Sequence, residues 1–161
     1  MNEKELTQLN DQLSQHMSII QKYTVVSEKH GRLLLASPPT ARYPYIYPRD
    51  ASCAVQFFRR LATSINGYDV SEPAFDLMKS MAHFMKITFF PLGFWGQRYS
   101  VEGENKSIYK QEDNVAHGIA ILCNYLLAAH SLRKEVKDLE DFLSCIHQAL
   151  DYRLKNFYQK E

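Results

Sequence analysis

The chain has 161 residues, of which 45% are hydrophobic, 12% aromatic and 23% charged, enough to bury a real core in one domain and too apolar for extended disorder. Nineteen Lys and Arg against eighteen Asp and Glu leave a formal net charge of +1, which argues against a nucleic-acid binder working by counterion release. Three cysteines without a CxxC pair exclude a disulfide framework and a zinc ribbon; Cys53, Cys123 and Cys145 are each expected to be small buried hydrophobes.

The polar, acidic start MNEKELTQLNDQL is no signal peptide, and no stretch approaches the roughly 20 apolar residues of a membrane span. A cytoplasmic location is expected, with no nucleic-acid or membrane partner.

Five helices are predicted, over about 3–22, 50–64, 71–88, 113–131 and 137–158. In the first, Leu6, Leu9, Leu13, Met17 and Ile20 form a single stripe. The second opens at Asp50, places Ala54, Phe57, Phe58, Leu61 and Ile65 inside, and stops at Asn66-Gly67. The third opens at Ser71 with Glu72 and Pro73 in its first turn. The fourth, from Asp113, is apolar nearly all round between Ile119 and Cys123 and is expected to be the most buried. In the fifth, Leu139, Phe142, Leu143, Ile146, Leu150, Leu154 and Phe157 share one side.

The connections alternate in length. Short turns join helices two and three and helices four and five, whereas Tyr23 to Arg49 and Phe89 to Glu112 each exceed twenty residues. Long loops in a compact domain are usually functional. Each delivers a charged residue plus Asp to a helix start, Arg49-Asp50 and Glu112-Asp113. This reads as a weak repeat of αα-hairpins with the long loops on one face. Such hairpins bury their inner faces against further hairpins, so the expected fold is all-α, residues 1–161 forming part of a larger α/α toroid.

The chemistry-bearing residues cluster in the two loops. In Tyr43-Pro-Tyr-Ile-Tyr-Pro-Arg-Asp50, Pro44 and Pro48 favour extension of the residues before them. Extension puts Tyr43, Tyr45 and Tyr47 on one side. An aromatic face beside Arg49 and Asp50 suits a sugar, whose C–H surfaces pack on rings while its hydroxyls seek charged groups. The alternative is that the tyrosines pack the loop down and Asp50 caps helix two. Trp95, between Gly93 and Gly96, is either displayed by its loop or plugs it onto the domain. Gln111 and Asp113 stand before helix four as Arg49 and Asp50 do before helix two, and Asp113 as a plain N-cap is the simpler alternative. Glu102, Glu104 and Glu112 have no distinguishing partner. No metal-ligand spacing links the six histidines, and no metal or cofactor is implied.

Gly31-Arg-Leu-Leu-Leu-Ala-Ser37 followed by Tyr43-Pro-Tyr-Ile-Tyr-Pro-Arg-Asp50 resembles the opening of glucoamylase-like enzymes, glycoside hydrolase family 15. Trp95-Gly-Gln-Arg-Tyr99 with Glu102-Gly103, then Gln111-Glu-Asp113, resemble that family's next two motifs. The resemblance spans essentially the whole chain. The Arg-Asp motif in its tyrosine setting is moderately specific; the other two are weak alone. It implies an (α/α)6 barrel that hydrolyses α-glucosidic bonds from a non-reducing end with inversion. It also implies that Arg49 and Asp50 hydrogen-bond the terminal glucose, with Tyr43 and Tyr47 beside them, Trp95 among the substrate-binding residues, and Gln111 and Asp113 near the floor of the pocket or ordering its loops. Two departures stand out: Tyr47 holds a tryptophan's place, and Ser107 replaces a Trp that often faces substrate.

Inversion needs an acid and a base about 6.5–9.5 Å apart. In the family the acid lies in a Trp-Glu-Glu-like stretch after the fifth helix and the base nearer the C-terminus, and neither is matched here. No catalytic residue is therefore assigned. The expected partners are an α-glucan or maltooligosaccharide, together with the remainder of a catalytic domain or a second copy of the chain. A non-catalytic carbohydrate-binding or regulatory module, and a helical protein-interaction scaffold, stay open as alternatives.

Overall fold

A computed structural model describes residues 2–64, 70–89 and 93–157, with the side chains of residues 156 and 157 outside the description. The chain is mostly helical: α1 (Glu3–Gln21), α2 (Pro48–Ala62), α3 (Ser71–Phe89), α4 (Asn114–Ser131) and α5 (Leu139–Phe157). The predicted places of Ile65, Asn66-Gly67 and the Phe157 side chain lie outside the described residues.

The first long loop is not loop throughout. Strands β1 (Thr24–Ser27) and β2 (Gly31–Leu34) form an antiparallel hairpin, with Ser27 opposite Gly31 and Thr24 opposite Leu34. Gly31 adopts a φ of 74°, a left-handed conformation that costs a residue without a β-carbon little. Leu33 is buried, and the Leu34 amide donates to Met81 Sδ at 3.2 Å, which seats the hairpin on α3.

Helix starts differ from expectation in an instructive way. α2 begins at Pro48, with Tyr47 at the cap position. Proline is preorganised for the first helical residue and its missing N–H is not needed there. Asp50 therefore sits inside the first turn and does not cap the helix. Asp113 does occupy the cap position of α4, but its side chain makes no capping bond, because its carboxylate is engaged elsewhere. At the other end of α4 the chain leaves through a Schellman turn. The Lys134 amide donates to Ala129 O at 2.8 Å and the Arg133 amide to His130 O at 3.1 Å, with Arg133 at φ 53°.

Helices α2 and α4 run side by side in the same direction, since Arg49 meets Asp113, Ser52 meets His117 and Arg59 meets Asn124. α3 returns antiparallel to α2, its Ser71 hydroxyl donating to Leu61 O at 3.0 Å. This repeated arrangement, a helix headed by a long loop followed by a helix after a short turn, is an array of αα-hairpins.

The core lies between α2, α3 and α4, built on Phe58, Met78, Met81, Phe84, Phe89 and Tyr125. α3 is more buried than α4: eleven of its 19 residues are inside, against eight of 18. α4 is the more apolar helix, but Ile119, Ala120 and Cys123 are only half-buried, so apolarity did not rank burial. Cys145 is buried, Cys123 half-buried and Cys53 exposed, which corrects the expectation of three buried thiols. α5 docks through Phe142, Cys145 and Ala149, while Leu139, Leu143, Leu150 and Leu154 of its predicted apolar side remain exposed.

Lys86, buried on α3, meets Asp138 at 3.4 Å and Asp141 at 3.6 Å at the start of α5 and lies 4.7 Å over the Phe142 ring. No helix among the described residues is long and apolar enough to cross a membrane.

Candidate functional site

The two long loops are stitched into one surface. Ile46 and Tyr99 exchange backbone hydrogen bonds of 3.0 and 2.9 Å, and Tyr99 also bridges Asn105. Tyr99 is buried and desolvation pushes its hydroxyl up to about 12. Ile46, fully buried, turns inward between Tyr45 and Tyr47. Arg98 then joins the loops from outside: its guanidinium lies 4.8 Å over the Tyr45 ring and donates to Tyr47 Oη at 3.3 Å.

The predicted row of three tyrosines is broken. The Tyr45 amide donates to the Tyr43 carbonyl at 2.8 Å, a three-residue turn about Pro44, whose ring fixes φ near the value such a turn needs. Tyr43 therefore leaves the row and pairs with Arg42, 5.5 Å from its ring. Tyr45 and Tyr47 keep the expected alternation.

Arg49 and Asp113 come together at the heads of α2 and α4, 2.6 Å apart and both largely solvated. The Arg49 hydrogen bond is the main reason the Asp113 carboxyl is held below its ordinary range, with help from the Gln111 side chain and the nearby His117. Asp50 lies beside this pair, exposed, its charge acting on Arg49. The fold thus brings together Arg49, Asp50, Gln111 and Asp113 of the predicted set, while the Tyr47 hydroxyl is taken by Arg98.

Trp95 is not among them. Its ring is buried against Phe89, with centroids 4.6 Å apart, and its indole N–H donates to Met85 O at 2.8 Å. It plugs the second loop onto the domain. Gly118 on α4 lies directly beneath it, and a β-carbon there would overlap the indole.

Three residues not foreseen complete the cluster. Ser52 and His117 share a 2.7 Å contact between Oγ and Nδ1, and His117 Nε2 faces Asp113 Oδ2 at 3.6 Å. Serine, histidine and aspartate are the types of a nucleophilic triad, but Ser52 is 1% exposed and its hydroxyl donates to Arg49 O, so no substrate reaches it. The third, Tyr109, is exposed near Arg49. It borders an open cleft of about 270 Å3 with Phe94, Ser107, Ile108 and Gln111.

Among the other loop carboxylates, Glu104 pairs with Lys106 at 2.6 Å and Glu112 with Lys110 at 3.5 Å. Glu102 is held down chiefly by the Ser100 hydroxyl. No group of three or more His, Cys, Asp or Glu side chains among the described residues is placed to hold a metal ion.

Compared with protein-family models, curated proteins and solved structures, the chain gives no match.

Proposed function

We propose that the loop face grips a glucosyl unit, as the sugar-binding part of a glucoamylase-like inverting α-glucoside hydrolase. The observation that carries this reading is the Arg49–Asp113 pair, solvated and 2.6 Å apart, with Asp50 and Gln111 beside it and Tyr109 at its edge. A guanidinium donates in a fixed fork, and carboxylates accept from paired hydroxyls. Exposed rings cover the C–H face of a pyranose. Order and spacing of the Arg-Asp and Gln-x-Asp motifs support the family resemblance, and the array of αα-hairpins is compatible with an arc of an (α/α)6 barrel.

The role proposed here is binding. Asp113 and Glu102 are both shifted toward the carboxylate form, which accepts from hydroxyls; a general acid requires the opposite shift. The acid and the base are supplied from outside these residues.

The test is saturation-transfer NMR of maltose with the 161-residue chain. Transfer to the glucosyl protons is expected, with loss on Asp50→Ala or Arg49→Gln. Absence of transfer at high millimolar maltose would sink the reading. Hydrolysis of maltose by this chain would refute the assignment of acid and base elsewhere.

A second reading, a helical interaction scaffold, is favoured by the exposed Leu139, Leu143, Leu150 and Leu154 of α5. It predicts self-association in light scattering without any response to sugar.

A further inference from the structure

A cleft of about 530 Å3 shares no lining residue with the loop face. One wall is a single stripe of α3: Asp76, Lys79, Ser80, His83 and Ile87 follow helical spacing. The other is the tip and second strand of the β-hairpin, Lys29, His30 and Arg32. The walls approach closely at Gly31, where a β-carbon would lie 3.1 Å from Ser80 Oγ.

The charge on these walls is unbalanced. Lys29, Arg32 and Lys79 have no ion pair among the described residues, in contrast to Lys86, Lys106, Lys110 and Lys134. Among the described lining residues Asp76 is the one carboxylate, and it too has no ion pair among the described residues. His83, half-buried and edge-on to Phe142, is held toward its neutral form mainly by burial and then by Lys86 and Lys79.

His30 also lines the cleft. His30 is 92% buried, being 8% exposed. Its Nε2 lies 3.3 Å from Glu102 O, yet its Nδ1 is buried without a partner. Buried ring nitrogens are rarely left so, and the cost is comparable to a lost hydrogen bond.

We propose that this cleft binds a small, hydroxylated phosphate monoester, its phosphate against Lys29, Arg32 and Lys79 and its hydroxyls toward Asp76 and Ser80. A phosphate offers several acceptor oxygens to ammonium and guanidinium donors. Asp76 repels either anion but accepts from the carbon-borne hydroxyls that only the ester carries, which selects an ester over the free ion. The volume is that of a small-molecule site, and a net charge of +1 speaks against a polyanionic strand.

Amide-resolved NMR titration of the whole chain tests this, using glycerol 3-phosphate, inorganic phosphate, glycerol and sodium chloride at matched ionic strength. Saturable shifts at Arg32, Ser80 and His83 are expected with glycerol 3-phosphate, weaker ones with inorganic phosphate and none with glycerol. The double variant Arg32→Gln, Lys79→Gln alters two exposed side chains and should weaken the ester about tenfold or more. Asp76→Asn should narrow the gap between ester and inorganic phosphate. Shifts that chloride reproduces, or an unaltered affinity in the double variant, would overturn the proposal. Equal binding of ester and free phosphate by the native chain would overturn its hydroxyl component.

Discussion

Ser52 on α2 and His117 on α4 lie 2.7 Å apart through Oγ and Nδ1, and the same hydroxyl donates to Arg49 O at 2.9 Å. These two contacts hold the His117 ring with its Nε2 3.6 Å from Asp113 Oδ2. Ser52 thereby orients the residues beneath the loop face without touching its surface.

Ser52→Ala removes both contacts of the hydroxyl from a buried setting. A loss of about 1–2 kcal/mol in unfolding free energy is expected, measured by urea denaturation. A double-mutant cycle with His117→Phe should return a coupling of about 1 kcal/mol; strict additivity would show that the contact contributes nothing.

Asp113 links the face to pH. Its folded pKa is depressed, chiefly by Arg49, so its contribution is present above the unfolded value of about 4 and fades as pH falls through the folded one. The pair is solvated, with side chains 58% and 42% exposed, so screening limits the effect to about 1 kcal/mol at most. The stability difference between native chain and Asp113→Asn should shrink between neutral pH and acid. A difference that grows on acidification would contradict the sign.

Gly118→Ala tests the packing of Trp95. Alanine improves helix propensity by about 1 kcal/mol over glycine. Its methyl would overlap the buried indole, and overpacking costs about 1–3 kcal/mol or more. A lower midpoint in thermal unfolding, with altered tryptophan emission, is expected; a stabilised protein would mean the ring yields freely.

The Lys86 clip is asymmetric. Lys86 is 9% exposed in its side chain, whereas Asp138 and Asp141 are 55% and 62% exposed. Removing the cation leaves two solvated carboxylates; removing the carboxylates leaves a buried charge unpaired. Lys86→Met should therefore cost under about 1 kcal/mol, and Asp138→Asn with Asp141→Asn about 2–3 kcal/mol. Asparagine tolerates the φ of 59° at position 138. The reverse order of stabilities would refute the argument.

Helical periodicity placed all five helices, and the two Arg/Glu-Asp junctions pointed to the heads of α2 and α4. What failed had local or non-local causes. The start of α2 was legible in Pro48, a first-turn residue, but Asp50 offered a competing cap. The β-hairpin rests on two four-residue strands, too short for a period to stand out, although Thr24-Val25-Val26 and Gly31 carried the signal. The fate of Trp95 depended on Gly118, distant in sequence, and not on the glycines flanking it. The Arg49–Asp113 and Ser52–His117 contacts span 64 and 65 residues, beyond the reach of any local pattern. The leucine row of α5 identified an apolar side without saying whether anything covers it.

The seam between the loops has a kinetic consequence. Tyr47 and Arg98 are 51 residues apart, so closing this seam is expected to follow the docking of the helices that bring its two loops together. The loop face is then expected to form late and to open early. Weakening it with Arg98→Ala should steepen escape from the native state and leave the folding arm of a chevron unchanged. The surface that would meet a ligand is thus the one whose lifetime a ligand can most readily extend.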